Sequence, residues 1–274
     1  MRAAFARSLL ALLGLLFAGH LHAQTLYGAD GAGGNPANLF TINPATGAII
    51  TTIGPIGFPV TGLAFHPGTG VLYGVSGGSG ANPRRLIRIN VATGAGTDIG
   101  EVDPGNPVAD ISFRANGTLY GWQEGADDLA TINLTTGLAT VVADSGLNTS
   151  RSGLAFAPNG TLYFNGDGNA LHVINPATGQ STSTVPVGFQ SNALAFNNAG
   201  VLFASQGGNL FTINTATGTP TLIGPVTGNL DALAFFVAAA PAAPTQVPTM
   251  SQWAMALMAL LLAASAWLVF RRRG

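Results

Sequence analysis

The sequence predicts an all-β fold, a five-bladed β-propeller, because three short strings each recur five times along the chain with small changes from copy to copy. The first is Leu-Ala-Phe at residues 63–65, the second Leu-Tyr-Gly at 26–28 and the third Thr-Ile-Asn at 41–43. Successive copies are about 47 residues apart early in the array and about 39 at its end. Each unit holds four short β-prone runs between Gly, Asn and Pro turns, which is the size of a propeller blade.

The phase of the repeat predicts how the ring closes. Each unit contains a strand A (Leu-Ala-Phe), B (Leu-Tyr-Gly), C (Leu-Phe-Thr-Ile-Asn) and D (Ala-Ile-Ile-Thr-Thr-Ile-Gly). The predicted propeller, residues 24–237, begins with strand B at Thr25 and ends with strand A at 231–236. We therefore expect the last strand to complete the first blade, which leaves no open sheet edge between the two ends.

Two repeated features indicate scaffold. All four tyrosines occupy one position of strand B, where the fifth unit has Phe203. An aromatic side chain used once per unit indicates packing between blades. The turn between strands C and D, Asn-Pro-Ala-Thr-Gly at 43–47, recurs in every unit as Asn-x-x-Thr-Gly. Asn bonds the backbone of such a turn and Gly accepts its positive φ, so we interpret these turns as structural.

The loops between strands B and C differ in every unit and share one face of the predicted ring with the D–A connections. A rigid ring holds such loops in fixed places around the channel mouth, where propellers commonly carry function. We predict a ligand face here, with candidate residues Asp110, Trp122, Glu124, Asp127, Asp128, Asp167 and Asp231. Arg84 and Arg85 fall in the same loops, and Thr61, Ser152 and Asn192 begin innermost strands. The alternative is a solvated polar rim.

Catalytic motifs are weak. Gly-Val-Ser-Gly-Gly at 74–78 matches the nucleophile-elbow string, but that mechanism needs a strand-to-helix turn, and here a Gly-rich hairpin loop follows. His66 and His172 have no metal-ligand spacing, and we expect both to be packing or surface residues. We therefore predict no catalytic residue, no metal and no cofactor.

Charge and cysteine content exclude further classes. The chain has no lysine, and residues 24–237 keep five arginines against all 11 acidic residues. Such a surface repels phosphate backbones, so nucleic acid is not an expected partner. The absence of cysteine excludes disulfides, thiol catalysis and Cys-based metal sites.

The N-terminus predicts a signal peptide over residues 1–23. Arg2 and Arg7 form a basic region, residues 8–18 are apolar, and Ala23 offers a small residue at the cleavage point. The alternative is an uncleaved anchor helix, although the apolar run is short for a bilayer span.

The C-terminal residues 247–274 predict a second targeting segment. Pro-Thr-Met-Ser-Gln-Trp at 248–253 precedes an apolar run that ends at Phe270. A helix over 253–270 would measure about 27 Å, enough to cross a hydrocarbon core. The arginines that follow, Arg271, Arg272 and Arg273, would hold the C-terminus in the cytoplasm. An Ala- and Pro-rich linker, 238–246, joins this tail to the propeller.

The tail resembles the IPTL-CTERM sorting signal of Gram-negative bacteria. Its motif positions are occupied by Val247, Pro248, Thr249, Met250 and Trp253. Val247, Met250 and Ala254 replace the Ile, Leu and Gly of the family. With the apolar helix and the arginines as anchor, the propeller would lie on the periplasmic side of the inner membrane. The resemblance implies cleavage near the motif by a membrane exosortase and transfer to the cell surface or matrix. The propeller resembles secreted bacterial propellers of the DUF4394-like and YVTN-like groups, which leaves its activity open.

Two hypotheses for function follow. The first is a non-catalytic module that binds a glycan or protein partner in the envelope or extracellular matrix. The rival is a periplasmic lactonase- or lyase-like enzyme that uses Asp110 or Asp231 with a divalent metal at the channel. The sequence favours the first, because it contains neither a His cluster nor a repeated acidic ring.

Overall fold

A computed structural model describes residues 24–31, 34–149, 151–226 and 228–236, together with Leu261, Trp267 and Arg271. The predicted signal peptide 1–23, the linker 238–246, the sorting motif, Arg272 and Arg273 lie outside the described residues. Of the predicted tail helix 253–270 and the arginines after it, the described residues are Leu261, Trp267 and Arg271. Those three are helical, and the Arg271 guanidinium lies 5.0 Å from the centre of the Trp267 ring. Within the described residues no helix has the length and apolar character needed to span a membrane.

The described residues from Thr25 to Phe236 form twenty short strands separated by turns. In chain order these are β1 (Thr25–Asp30), β2 (Asn38–Ile42), β3 (Ile49–Pro55), β4 (Val60–Phe65), β5 (Leu72–Ser76), β6 (Arg85–Ile89), β7 (Gly96–Glu101), β8 (Val108–Phe113), β9 (Leu119–Gln123), β10 (Asp128–Ile132), β11 (Ala139–Asp144), β12 (Gly153–Phe156), β13 (Leu162–Asp167), β14 (Ala170–Ile174), β15 (Ser181–Pro186), β16 (Ala193–Phe196), β17 (Leu202–Gln206), β18 (Asn209–Ile213), β19 (Pro220–Pro225) and β20 (Leu230–Phe236).

The described strands form five antiparallel four-stranded sheets, which are the blades of a propeller. Blade I has the order β20-β1-β2-β3, and blades II to V are β4–β7, β8–β11, β12–β15 and β16–β19. Strand β20 pairs with β1 from Thr25 opposite Phe236 onward, so the last strand completes the first blade as predicted. The inner strands touch in the closed cycle β20, β4, β8, β12, β16 and back to β20. The predicted five-bladed ring is confirmed.

Packing between blades repeats around the ring. The core of the described residues divides into five apolar clusters, each drawn from two neighbouring blades. At every junction the strand-B aromatic residue packs on the strand-A Phe of the next blade, with ring centroids 5.0–5.5 Å apart. The pairs are Tyr27–Phe65, Tyr73–Phe113, Tyr120–Phe156, Tyr163–Phe196 and Phe203–Phe235. The tyrosines are therefore packing residues, as their repetition predicted.

The C–D turns are structural in two ways. In the first turn, Asn43 Oδ1 accepts the N–H of Ala45 at 2.9 Å, and Gly47 takes a φ of 78°. The turn also packs on the outer strand of a neighbouring blade. A Cβ at Gly100 in blade II would overlap the carbonyl oxygen of Thr136 in the turn of blade III. The turns therefore join adjacent blades as well as adjacent strands.

Candidate functional site

A cavity of about 330 Å³ opens at the channel mouth, on the face formed by the B–C loops and the D–A connections. Its polar side chains include Thr61, Glu124, Arg151, Ser152, Asn192 and Asp231. Backbone from the loops after β1 and β5 forms much of the remaining wall, with Gly31, Gly34, Gly77 and Gly78. The variable loops and the starts of the inner strands thus meet at one opening, on the face that the sequence predicted for them.

Local irregularities in the inner strands aim polar side chains at this cavity. Asp231 is the extra residue where β20 shifts register against β1, and Thr61 is the extra residue where β4 shifts against β5. Asn192 lies at the corresponding place before β16, where its N–H donates to the carbonyl oxygen of Ser205 at 2.8 Å. A bulge turns a side chain that would otherwise follow the alternation of the strand. Three blades therefore present a polar group at the same level.

Several polar atoms at this level have no partner. Asn192 Nδ2 donates to Asp231 Oδ1 over 3.1 Å. The remaining oxygens, Asn192 Oδ1 and Asp231 Oδ2, are buried and lack a hydrogen-bond partner among the described residues, as does Ser152 Oγ. Ser152 is only 2% exposed. Buried polar atoms are normally hydrogen-bonded, so this group indicates a place where water or a ligand completes the network.

Burial also changes the acidity of the cavity. It raises the pKa of Asp231 to about 6, against the opposing effects of the Asn192 hydrogen bond, the positive charge of Arg151 and the backbone N–H of Gly31. The negative charge of Asp30 raises that pKa further. Burial, followed by repulsion from Asp127, also raises the pKa of Glu124. The cavity thus holds an aspartate that can exchange a proton near neutral pH.

Asp110 does not line the opening, and this part of the prediction is wrong. The residue is fully buried, and its carboxylate accepts the N–H groups of Ile111 at 2.8 Å, Leu154 at 2.9 Å and Leu194 at 3.4 Å. These donors belong to the inner strands of blades III, IV and V. Burial raises the pKa of Asp110 well above its usual range despite the three hydrogen bonds. Asp110 therefore ties three blades together within the channel wall.

Trp122 is the second correction. Its side chain is 0% exposed and stacks on Phe164 of the next blade, with ring centroids 3.7 Å apart. The sequence placed it in a loop, but β9 continues to Gln123, which keeps Trp122 inside the sheet. Its indole therefore contributes to the core and offers no surface to a ligand.

The other acidic candidates lie outside the cavity. Asp127 has a φ of 58°, and its carboxylate accepts hydrogen bonds from the N–H and hydroxyl groups of Thr149. Asp128 faces Asp144 across β10 and β11, and burial, then Asp144 and Asp127, raise its pKa. Asp167 ends β13 and is not among the residues that line the cavity. Of the seven predicted residues, Glu124 and Asp231 therefore line the cavity.

Arg84 and Arg85 are also directed elsewhere. Arg85 forms a two-pronged ion pair with Asp98, with Nη2 2.6 Å from Oδ2, and Arg84 Nε lies 3.8 Å from Glu101 Oε1. The cation of the cavity is Arg151, which the sequence reasoning did not single out. Arg151 could have been predicted from its position immediately before Ser152, at the start of a strand A.

The two histidines among the described residues, His66 and His172, have structural surroundings. His66 Nδ1 accepts the N–H groups of Gly68 at 3.1 Å and Thr69 at 3.2 Å, which organises a turn. His172 is buried, with Nδ1 3.1 Å from Ser181 Oγ. Within the described part of the chain, no group of three or more His, Asp or Glu side chains is arranged to hold a metal ion.

The fold and the cavity define a β-propeller whose variable loops surround a polar channel mouth. Residues 58–247 match the family described as a repeat of unknown function, DUF6923, and residues 245–273 match the IPTL-CTERM motif. The chain belongs to the DUF6923 family and carries an IPTL-CTERM sorting signal. That signal implies export and sorting to the cell surface. No match was found among curated protein sequences.

Solved structures resemble this chain in fold alone. A chain of the nidogen/laminin complex aligns over 80% of this chain and 100% of its own length, with 15% identity and a TM-score of 0.56. Glutaminyl cyclase from Myxococcus xanthus aligns over 62% of this chain and 70% of its own, with 20% identity and a TM-score of 0.46. At these identities the likeness carries no information about activity.

Proposed function

We propose that this exported, surface-sorted propeller is a non-catalytic binding module of the envelope or extracellular matrix. In this proposal the channel mouth holds a glycan or protein ligand. The observation that carries it is the cluster of unpartnered buried oxygens on Ser152, Asn192 and Asp231 in one cavity. A closed ring of blades keeps such groups in fixed positions, which lowers the entropy lost when a ligand binds.

The sorting signal supports a processing partner. We propose that residues 253–270 anchor the protein in the inner membrane, with the propeller in the periplasm, until an exosortase-type enzyme cleaves near the motif. Measuring the intact mass of protein from the native cell surface tests this step. We expect a C-terminus close to Thr249. A surface form that still ends at Gly274 would contradict processing and leave a plain anchor.

A second candidate is supported by the acidity of Asp231. A buried carboxyl with a pKa of about 6 suits a general acid or base near neutral pH. A periplasmic lactonase- or lyase-like enzyme, assisted by a divalent metal, would use this group. Asp110 has no such role in this alternative, because its carboxylate is enclosed and bonded to backbone N–H groups.

One experiment separates the two candidates. Full-length protein purified in detergent is titrated with solubilised envelope polysaccharide and protein fractions, with and without divalent metal, while products are followed by mass spectrometry. We expect saturable binding without turnover, weakened by Asp231→Asn and unchanged by Asp167→Asn, which lies outside the cavity. Turnover lost in Asp231→Asn would instead establish the enzyme.

A further inference from the structure

The free atoms at the channel mouth are mainly hydrogen-bond acceptors. Because Asn192 donates its Nδ2 to Asp231 Oδ1, its own Oδ1 remains available. That oxygen and Asp231 Oδ2 are both buried and make no hydrogen bond of normal geometry with the described chain, although the Gly31 N–H lies close to the Asp231 carboxyl. A buried acceptor is satisfied only by a group that brings an N–H or O–H. A ligand that fits this place must therefore supply several donors.

The charges around the cavity favour a single positive charge. Asp231 and Glu124 are acidic lining residues, while Arg151 brings a positive charge to the same wall. A divalent cation such as Ca²⁺ takes about six to eight oxygen ligands. The guanidinium would also repel it about twice as strongly as it repels a single positive charge. Arg151 offsets one of the two carboxylates, so the ionised lining keeps one negative charge, which a monovalent cation neutralises.

The size of the cavity favours an organic ligand over a bare ion. Its volume of about 330 Å³ is roughly ten times that of a water molecule in the liquid. Ser152 Oγ is free to bond a hydroxyl group. Thr61 Oγ1 also lines the cavity; its hydroxyl donates to the carbonyl oxygen of Val108 at 3.0 Å, which leaves the oxygen able to accept a hydrogen bond. Hydroxyl partners thus lie in the same cavity as the carboxylate.

On the basis of the proposed binding function, we propose that the channel mouth binds a primary ammonium group with a neighbouring hydroxyl, the chemistry of an amino sugar. An ammonium carries three donors, enough for Asn192 Oδ1 and Asp231 Oδ2 together. The neighbouring hydroxyl bonds Ser152 Oγ. A small amino alcohol offers the same pair of groups, so the test includes both sources.

The test is isothermal titration of the full-length protein in detergent at about pH 7.5 with four probes. Glucosamine is expected to bind saturably. Glucose and N-acetylglucosamine lack the ammonium, and we expect them to bind at least about tenfold more weakly because charge-assisted hydrogen bonds are lost. Ethanolamine distinguishes the two kinds of ligand. If it binds more weakly than glucosamine, the site recognises an amino sugar. If the two bind equally well, the site recognises an amino alcohol.

Variants locate the ammonium. Asp231→Asn keeps the size of the side chain and an acceptor for Asn192, and we expect it to weaken glucosamine binding by about 10- to 100-fold. Asp167→Asn is the control and is expected to leave binding unchanged. Lowering the pH from about 7.5 to about 5 protonates Asp231 and should weaken binding in the wild type but not in Asp231→Asn. Arg151, Asp30 and Glu124 are the other charged groups facing Asp231, so the profile is repeated in Glu124→Gln.

The contrary outcomes are distinct. Equal binding of glucosamine and glucose, or binding unaffected by Asp231→Asn, would overturn the ammonium site. Displacement of glucosamine by stoichiometric Ca²⁺ would overturn it in favour of a metal site. In both cases the proposed binding function would still hold if an envelope fraction bound saturably and its binding were weakened by Asp231→Asn.

Discussion

Asp110 joins three blades, and its replacement measures how much that connection stabilises the ring. In Asp110→Ala the N–H groups of Ile111 and Leu154 lose acceptors at 2.8 and 2.9 Å, and Leu194 loses a weaker one at 3.4 Å. A buried donor without a partner costs about 1–3 kcal/mol. The two short bonds therefore predict a loss of about 2–6 kcal/mol in the free energy of unfolding.

Water that enters the vacated space would satisfy part of this loss, so we expect about 3 kcal/mol. For a domain of this size that lowers the melting temperature by about 6–12 °C. Asp110→Asn retains an oxygen for Leu154 and Leu194, which both bond Oδ2, and should lose only about 1 kcal/mol.

The assay is thermal and urea unfolding of the full-length protein in detergent, with Asp167→Ala as a surface control. A loss below about 0.5 kcal/mol in Asp110→Ala would show that the backbone donors do not depend on the carboxylate, so that Asp110 does not join the three blades. A loss in Asp110→Asn equal to that in Asp110→Ala would also contradict the predicted role of Asp110.

Two further predictions concern stability. In Gly100→Ala the new methyl group meets the carbonyl oxygen of Thr136, so unfolding should become easier by about 1–3 kcal/mol, whereas Gly105→Ala, with only the Asp103 side chain at 3.4 Å, should change little. Equal effects in urea titrations would contradict the contact between blades. Because the pKa of Asp231 rises to about 6 on folding, the folded state binds more protons between about pH 4 and 6. Its unfolding free energy should therefore fall as the pH rises through that window, by up to about 2 kcal/mol after solvent screening, relative to Asp231→Asn. Parallel pH profiles for the two proteins would refute this linkage.

The architecture was predictable because its determinants are repeated. One aromatic position in strand B and one Phe in strand A form the same contact at every junction, so the sequence presents that contact five times in the described propeller. The offset between Thr25 and the final strand A similarly predicted the pairing of β1 with β20. Five copies of the same pattern therefore predict the strands more securely than any one segment would.

The candidate site was only partly predictable because its determinants are not repeated. Asp110 stands where other units have Gly62, Gly153, Ala193 or Ala232, and only the packed ring reveals that these small residues leave room for one carboxylate. Trp122 was misplaced because a strand end shifted by two residues moves a side chain from a loop into the core. The bulges that turn Thr61 and Asp231 towards the cavity depend on the register between paired strands. That register cannot be read from the composition of either strand.

Hydrogen–deuterium exchange tests whether ligands bind at the channel mouth. Full-length protein in detergent is compared with and without a saturating envelope fraction. We predict slower exchange in the segments 77–84, 106–109 and 189–192 around the cavity, and unchanged exchange in the C–D turns 90–94 and 133–137. Protection confined to those turns, with the channel-mouth segments unaffected, would contradict binding at the channel mouth.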